Sequence, residues 1–223
     1  MKLFCSVFAF LLLSSLSLKA QQHPGFKASM NFGSINSDQI DFTNNLGYGF
    51  GFATMWVINE RLDFFIDLTY EQFNHTVMGR EALDYNSPLS EIYNEYSFGI
   101  NGVYGSLLPN YYIIPEHLSV NAGIIYGVSW LKDEMNINSV YLGNGDYLED
   151  NISYEELGSA MSGFDFFLAF GLSGGTENLK ANLRYNLGMK NYLKEYYPDQ
   201  KLKRNFFQLS ITYYFLNVEL VRG

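Results

Sequence analysis

Cysteine is all but missing. The only one, Cys5, lies in the first twenty residues, so disulfides cannot hold the rest of the chain together. Proline is scarce, and beyond residue 20 no stretch carries 18 consecutive apolar residues, which excludes a transmembrane helix there. Cations are outnumbered: 14 Lys and Arg stand against 23 Asp and Glu, for a formal charge of -9. Removing Lys2 and Lys19 with a leader takes that to -11, and an acidic chain without a basic stripe is a poor partner for nucleic acid. Also lacking are a phosphate-cradling glycine loop, an HExxH and a CxxC. Gly47, Gly49 and Gly51 repeat along one face of a strand and are not followed by the helix that a dinucleotide site needs.

The first twenty residues read as a secretory signal. Lys2 gives a positive start, Leu3 to Leu18 an apolar run softened by serines, and Ala20 before Gln21-Gln22 a cleavage point. Cys5 lies at the beginning of the apolar run instead of ending it, so a lipoprotein anchor is not expected. Residues 21–223 are enough for a single all-β domain.

What is present is aromatic side chains, 18 Tyr and 19 Phe, set in strict alternation. From Leu46 to Asn74 two long strands flank a short turn at Asn59-Glu60-Arg61. Tyr48, Phe50, Phe52, Trp56 and Ile58 fall on one face of the first, opposite Gly47, Gly49, Gly51, Ala53 and Met55. Leu62, Phe64, Ile66, Leu68 and Tyr70 share a face of the second, opposite Asp63, Asp67, Thr69 and Glu71. The period of two marks strands, and runs of about ten residues match the nine to eleven tilted residues that cross a bilayer.

The same pattern predicts a strand from Phe26 to Gly33 and another with Tyr96, Phe98 and Ile100 against Glu95, Ser97, Gly99 and Asn101. Further strands run from Leu118 to Trp130, Phe164 to Leu172, Leu179 to Met189 and Phe207 to Phe215. Pro109 and Pro115 predict a turn across Ser106 to His117, since proline cannot donate within a ladder. Loops are expected at Ser34–Asn45, from Asn74 to Ile92, at Lys132–Met161 and at Asn191–Arg204. Eight strands joined by connections that alternate long and short predict an all-β, eight-stranded antiparallel up-and-down transmembrane β-barrel of a bacterial cell outer membrane. A soluble lipocalin-like ligand-binding barrel would reverse the faces. The Gly, Ser, Asn and Ala content of the small face suits a crowded bore better than a water-facing surface, and the aromatic face would overfill it.

The inward charges then form a candidate lumen network of Lys27, Asp63, Asp67, Glu71, Glu95, Asp165, Lys180, Arg184 and Lys190. Buried charges need partners, so a salt-bridged, non-conducting interior is expected, with a proton or ion path as the alternative. Lipid modification is the rival function, for which His75 could meet Ser87 or Ser90; the plainer expectation is a histidine exposed on the rim. Neither a catalytic residue nor a cofactor or metal is expected. The acidic residues Asp133, Glu134, Asp146, Glu149, Asp150, Glu155 and Glu156 lack the regular spacing of an EF-hand and read as a solvated loop. Lys194, Lys201, Lys203 and Arg204 form a basic rim suited to lipopolysaccharide phosphates.

With its leader, eight strands and the ending Tyr213-Tyr214-Phe215, the chain resembles the small outer-membrane β-barrel family, and within it the PorT-like barrels of the Bacteroidetes type. The likeness spans Phe26 to Phe215. It implies that Phe215 is the aromatic read by the barrel-insertion machinery, although the chain continues from Leu216 to Gly223. It implies a secretion-system partner for some members of that family, while the expectation for this chain as a whole is a monomeric, non-enzymatic outer-membrane protein with a structural or interaction role through its outer loops.

Overall fold

A computed structural model describes residues 21–37, 40, 42–81, 93–115, 117–132, 140–142, 152–194 and 201–215. The expected leader, the tail 216–223 and the expected Gly143–Asp146 turn lie outside them, as do most acidic residues of the long loop. In chain order the elements are β1 (Gln21–Ser37), β2 (Phe42–Asn59), β3 (Leu62–Glu81), β4 (Asn94–Ile114), β5 (Leu118–Lys132), β6 (Val140–Leu142), β7 (Ile152–Ser153), α1 (Tyr154–Met161), β8 (Gly163–Gly175), β9 (Leu179–Gly188) and β10 (Leu202–Tyr214).

Eight of these strands close into a ring. Each of β1, β2, β3, β4, β5, β8, β9 and β10 pairs antiparallel with the next, and β10 returns to β1 through Gly25↔Tyr214 to Ser37↔Leu202. The chain is an eight-stranded antiparallel barrel, and closure leaves the ring no free strand edge. The short turns at Glu60-Arg61, around Pro115 and at Thr176–Asn178 gather at the end holding the N-terminus of β1; the long connections gather at the other end, called outer below.

Large apolar side chains face away from the ring. Phe50, Phe52, Leu107, Val128, Phe164, Leu183 and Ile211 are all exposed, while Lys27, Asp67, Asn121, Asn182, Arg184 and Ser210 are buried inside it. A lipocalin-like carrier, with its apolar residues inward, is therefore excluded for this part of the barrel.

The predicted elements are right in place and short in extent. β1 runs to Ser37 and β2 begins at Phe42, so most of the expected Ser34–Asn45 loop is strand; β3 likewise continues to Glu81. The turn expected at Ser106–His117 is largely strand, because β4 continues through Pro109 to Ile114. Pro109 pairs with Phe64 of β3, whereas the ladder to β5 skips from Leu107↔Ile124 to Asn110↔Asn121. The register is unbroken across that gap, so the missing N–H falls where the β5 ladder is already interrupted.

The expected Lys132–Met161 loop also holds ordered structure. β6 pairs with Gly79–Glu81 at the top of β3, β7 pairs with β6, and α1 follows. Ser153 caps α1: its hydroxyl accepts from the Glu156 N–H at 3.2 Å, and the Glu156 carboxylate accepts from the Ser153 N–H at 3.0 Å. This capping box fixes where an eight-residue helix starts, a length that is marginal on propensity alone.

Candidate functional site

The interior is the candidate site, and it is built in two storeys. In the inner storey, inward positions are mostly small or polar, with Met55, Phe65, Leu108, Ile125 and Tyr214 filling the space between the charged groups. Glycine permits this where space is tightest: a Cβ at Gly49 would collide with the Glu71 carboxylate and the Ser29 hydroxyl. Four cations, Lys27, Lys180, Arg184 and Arg204, and four carboxylates, Asp63, Asp67, Glu71 and Asp165, are buried inside the ring.

These charges form three groups. Asp67 Oδ2 receives Lys27 Nζ at 3.0 Å and Arg184 Nη1 at 3.1 Å. Lys27 also donates to Gln208 Oε1 at 3.1 Å, and Gln208 Nε2 donates to Glu71 Oε1 at 3.0 Å. Ser29 and Asn31 complete the shell of Glu71. Nearer the inner end, Tyr112 Oη donates to Asp63 Oδ2 at 2.7 Å, and the Lys180 ammonium stands 5.0 Å over the Tyr112 ring. Towards the outer end, Arg204 Nη2 meets Asp165 Oδ2 at 2.7 Å. Tyr104 and Tyr192 both donate to that carboxylate, at 3.0 and 2.6 Å. The Arg204 guanidinium is further enclosed by the rings of Phe73, Phe167 and Tyr104 at 4.6, 5.2 and 5.7 Å.

The structure thus joins Lys27, Asp67 and Arg184 directly, links Glu71 through Gln208, and sets Asp63, Lys180 and Asp165 in separate groups. Three placements correct the expectation. Arg204 is fully buried beside Asp165 instead of on the rim. Lys190 is half-buried past the end of β9, where it donates to the Ala160 carbonyl at 3.4 Å and covers the Tyr192 ring. Glu95 is exposed on the outside of β4. For Arg204 the signal was available: it falls on the same alternation as Gln208, Ser210 and Thr212, two to four turns of the pleat earlier.

Glu95 has a more general cause. At the outer ends of the strands the alternation continues but its polarity inverts. Inward residues there are Val77, Tyr96, Phe98, Ile100, Leu202 and Phe206, all buried. Outward residues are Asn45, Gln72, Asn74, Thr76, Glu95 and Ser97. Leu142, Leu157, Met161 and Leu193 pack into the same cluster, so β6, α1 and the segment after β9 close the outer end over an apolar core. Ser129 Oγ donates to the Met161 carbonyl at 3.0 Å and ties α1 to the wall.

His75 belongs to this outer storey. It is completely buried, with its ring 5.5 Å from that of Phe98, and is not the exposed rim histidine expected. Ser87 and Ser90, its suggested partners, lie outside the described residues. His117 sits in the inner turn, with Nδ1 2.9 Å from the Pro115 carbonyl. Among the described residues no group of three His, Cys, Asp or Glu could hold a metal ion. Phe215 is exposed at the inner rim, its ring edge-on to Phe26 at 4.7 Å, and its N–H donates to the Pro24 carbonyl at 2.9 Å.

A closed antiparallel ring with an apolar exterior and a charged, filled bore has the organisation of a small membrane-spanning barrel. No protein-family model matches the chain, and no curated protein matches it either. Solved structures do. Neisserial surface protein A is 12% identical with a TM-score of 0.43, the match covering 86% of this chain and 97% of that one. Ail, the attachment invasion locus protein of Yersinia pestis, in complex with the heparin analogue sucrose octasulfate, is 13% identical with a TM-score of 0.46, over 87% and 99%. The outer membrane protein OprG from Pseudomonas aeruginosa is 11% identical with a TM-score of 0.46, over 88% and 96%. The barrel assignment itself stands on the closed strand ring.

Proposed function

We propose that this chain is an integral outer-membrane barrel whose bore is filled and whose work is done at its outer end, without catalysis. The carrying observation is the inner storey, apolar on every outward face and ion-paired within. On β2 the apolar outward set runs from Leu46 to Ile58. Twelve steps at about 3.4 Å and a tilt of about 40° span about 31 Å, the thickness of a hydrocarbon layer. The outer storey offers a folded, core-packed platform as the interaction surface.

Phe215, exposed one residue past β10, is read here as the aromatic recognised by the insertion machinery. A closed ring with no free edge favours a monomer. The secretion-accessory role suggested by the PorT-like resemblance has no support in the described contacts and is not part of this reading.

The test is to fold residues 21–223 into phospholipid vesicles. A band whose gel mobility changes on boiling, together with the absence of steady conductance in planar bilayers, is the expected result. Stable open channels would contradict the filled bore, and recovery of the folded protein only in the aqueous fraction would contradict the membrane assignment.

A further inference from the structure

The place where polarity inverts is also a surface. Following the register outward across β2 to β5, the rows change character one after another. Phe50, Tyr70, Val103 and Val128 form an apolar row. The next is Tyr48, Gln72, Asn101 and Trp130, with an aromatic ring at each end and amides between. Then come Asn45, Asn74, Gly99 and Lys132, and above them Thr43, Thr76 and Ser97. A lipid-facing sheet therefore passes, across a bulge at Leu46-Gly47 of β2, into one lined by amides, hydroxyls and an ammonium.

The polar rows hold a defined geometry. Asn45 Nδ2 donates to Thr76 Oγ1 at 2.9 Å, and Thr76 Oγ1 lies 3.2 Å from Ser97 Oγ, so one hydrogen-bonded stripe crosses three strands. Asn74 Nδ2 donates to the Leu46 carbonyl at 2.8 Å, which orients its amide. Gly99 lies buried beside it, and a Cβ there would lie 3.4 Å from Lys132 Cβ and 3.7 Å from Asn74 Oδ1. The lysine stem and the oriented amide converge over the glycine, one row beyond the Trp130 level.

We propose that this face of β2 to β5, resting on the outer-membrane reading above, is a contact surface for the phosphorylated saccharide headgroups of outer-leaflet lipopolysaccharide. Two observations select that occupant. The surface is continuous with the lipid belt, so whatever covers it is attached to the lipid layer. Its chemistry is that of a sugar site, with amide and hydroxyl groups that both donate and accept, and Lys132 at its edge suits a phosphate. Glu95 stands one row further out, beyond the phosphate-facing level.

The experiment compares the unfolding midpoint of the heat-modifiable band in three vesicles: phosphatidylcholine alone, the same with lipopolysaccharide carrying a phosphorylated core, and the same with lipid A. Ligation of the native state alone raises the midpoint, and a rise of about 5 °C is expected with the core-bearing lipid. Lipid A should give less than half of it. The triple variant Asn74→Ala, Thr76→Ala, Lys132→Ala should lose the rise, measured against its own midpoint in phosphatidylcholine. A triple variant that keeps the rise, or lipid A giving all of it, overturns the proposal. If the triple variant does not fold, Lys132→Ala alone decides: loss of half the rise or more supports the proposal, and retention of all of it overturns the proposal. Failure of the unaltered chain to give a heat-modifiable band in any vesicle would strike the membrane reading instead.

Discussion

The two storeys of this barrel share their strands and alternate in the same register, yet they solve opposite solvent problems. In the inner storey Phe52 faces out at 64% exposure while Asp67, inward on the neighbouring β3, is buried. In the outer storey Thr76 faces out while Phe73, Val77 and Phe98 are buried. One pattern suits hydrocarbon outside and ion pairs within; the other suits water outside and an apolar core within. Length explains why both are needed. β4 has 21 residues, about 50 Å along the membrane normal at a tilt of about 40°, some 20 Å more than a bilayer covers. The excess must fold as a soluble protein does, and β6, α1 and Leu193 supply the rest of that core.

Two deletions test whether the storeys are held by different forces. Asp67→Ala leaves Lys27 and Arg184 buried without their carboxylate, and breaking such a pair costs about 3–5 kcal/mol. Denaturant titration of the folded barrel should show that loss, and Asp67→Asn should recover part of it through hydrogen bonding. Phe73→Ala acts in the outer storey by a different route. It opens a cavity beside Phe206, whose ring lies 4.8 Å away, and strips one ring from Arg204, for about 3–5 kcal/mol. High salt should leave the Phe73 loss unchanged. If a polar replacement rescues Phe73 as Asn rescues Asp67, the distinction between storeys fails.

The inner storey was legible in the sequence because its signal is local. Leu179 to Leu187 alternate without interruption, Phe164 to Leu172 do so except for the inward Phe167, and each outward residue there faces outward in the barrel. The outer storey was not, because alternation reports that two faces differ but not which of them meets water. Tyr96, Phe98 and Ile100 look like a lipid face until their height above the bilayer is known, and this misplaced Glu95. Height depends on strand extent, and strand extent was hidden by polar residues such as Asn36, Thr43 and Asn45, which read as loop. The Arg204–Asp165 pair was missed for a related reason: it joins residues 39 apart, and the basic run before Arg204 resembles a rim.

A sharper comparison places the same substitution on the same face at two heights. Phe52→Lys puts an ammonium at the middle of the lipid belt, where the cost is about 2–4 kcal/mol. Thr76→Lys puts one on the outward face of β3 in the outer storey, where the loss is that of the exposed hydrogen bonds of its hydroxyl, about 1 kcal/mol. The difference between the two, read from unfolding midpoints in vesicles, measures the inversion directly. Equal costs would mean that the bilayer reaches Thr76 or does not cover Phe52.

The smallest effect concerns the cap. Ser153→Ala removes the hydroxyl that accepts from the Glu156 N–H, and with it the reciprocal capping box, for about 1 kcal/mol. Because α1 contacts the ring through Leu157, Met161 and the Ser129 hydrogen bond, that loss should appear locally. Amide exchange in 154–161 should accelerate while β9 and the inner half of β10 keep their protection, since the inner storey neither contains nor needs the helix. Uniform acceleration around the whole ring would show instead that the cap and the membrane barrel unfold as one unit, and that the boundary between storeys is one of polarity and not of cooperativity.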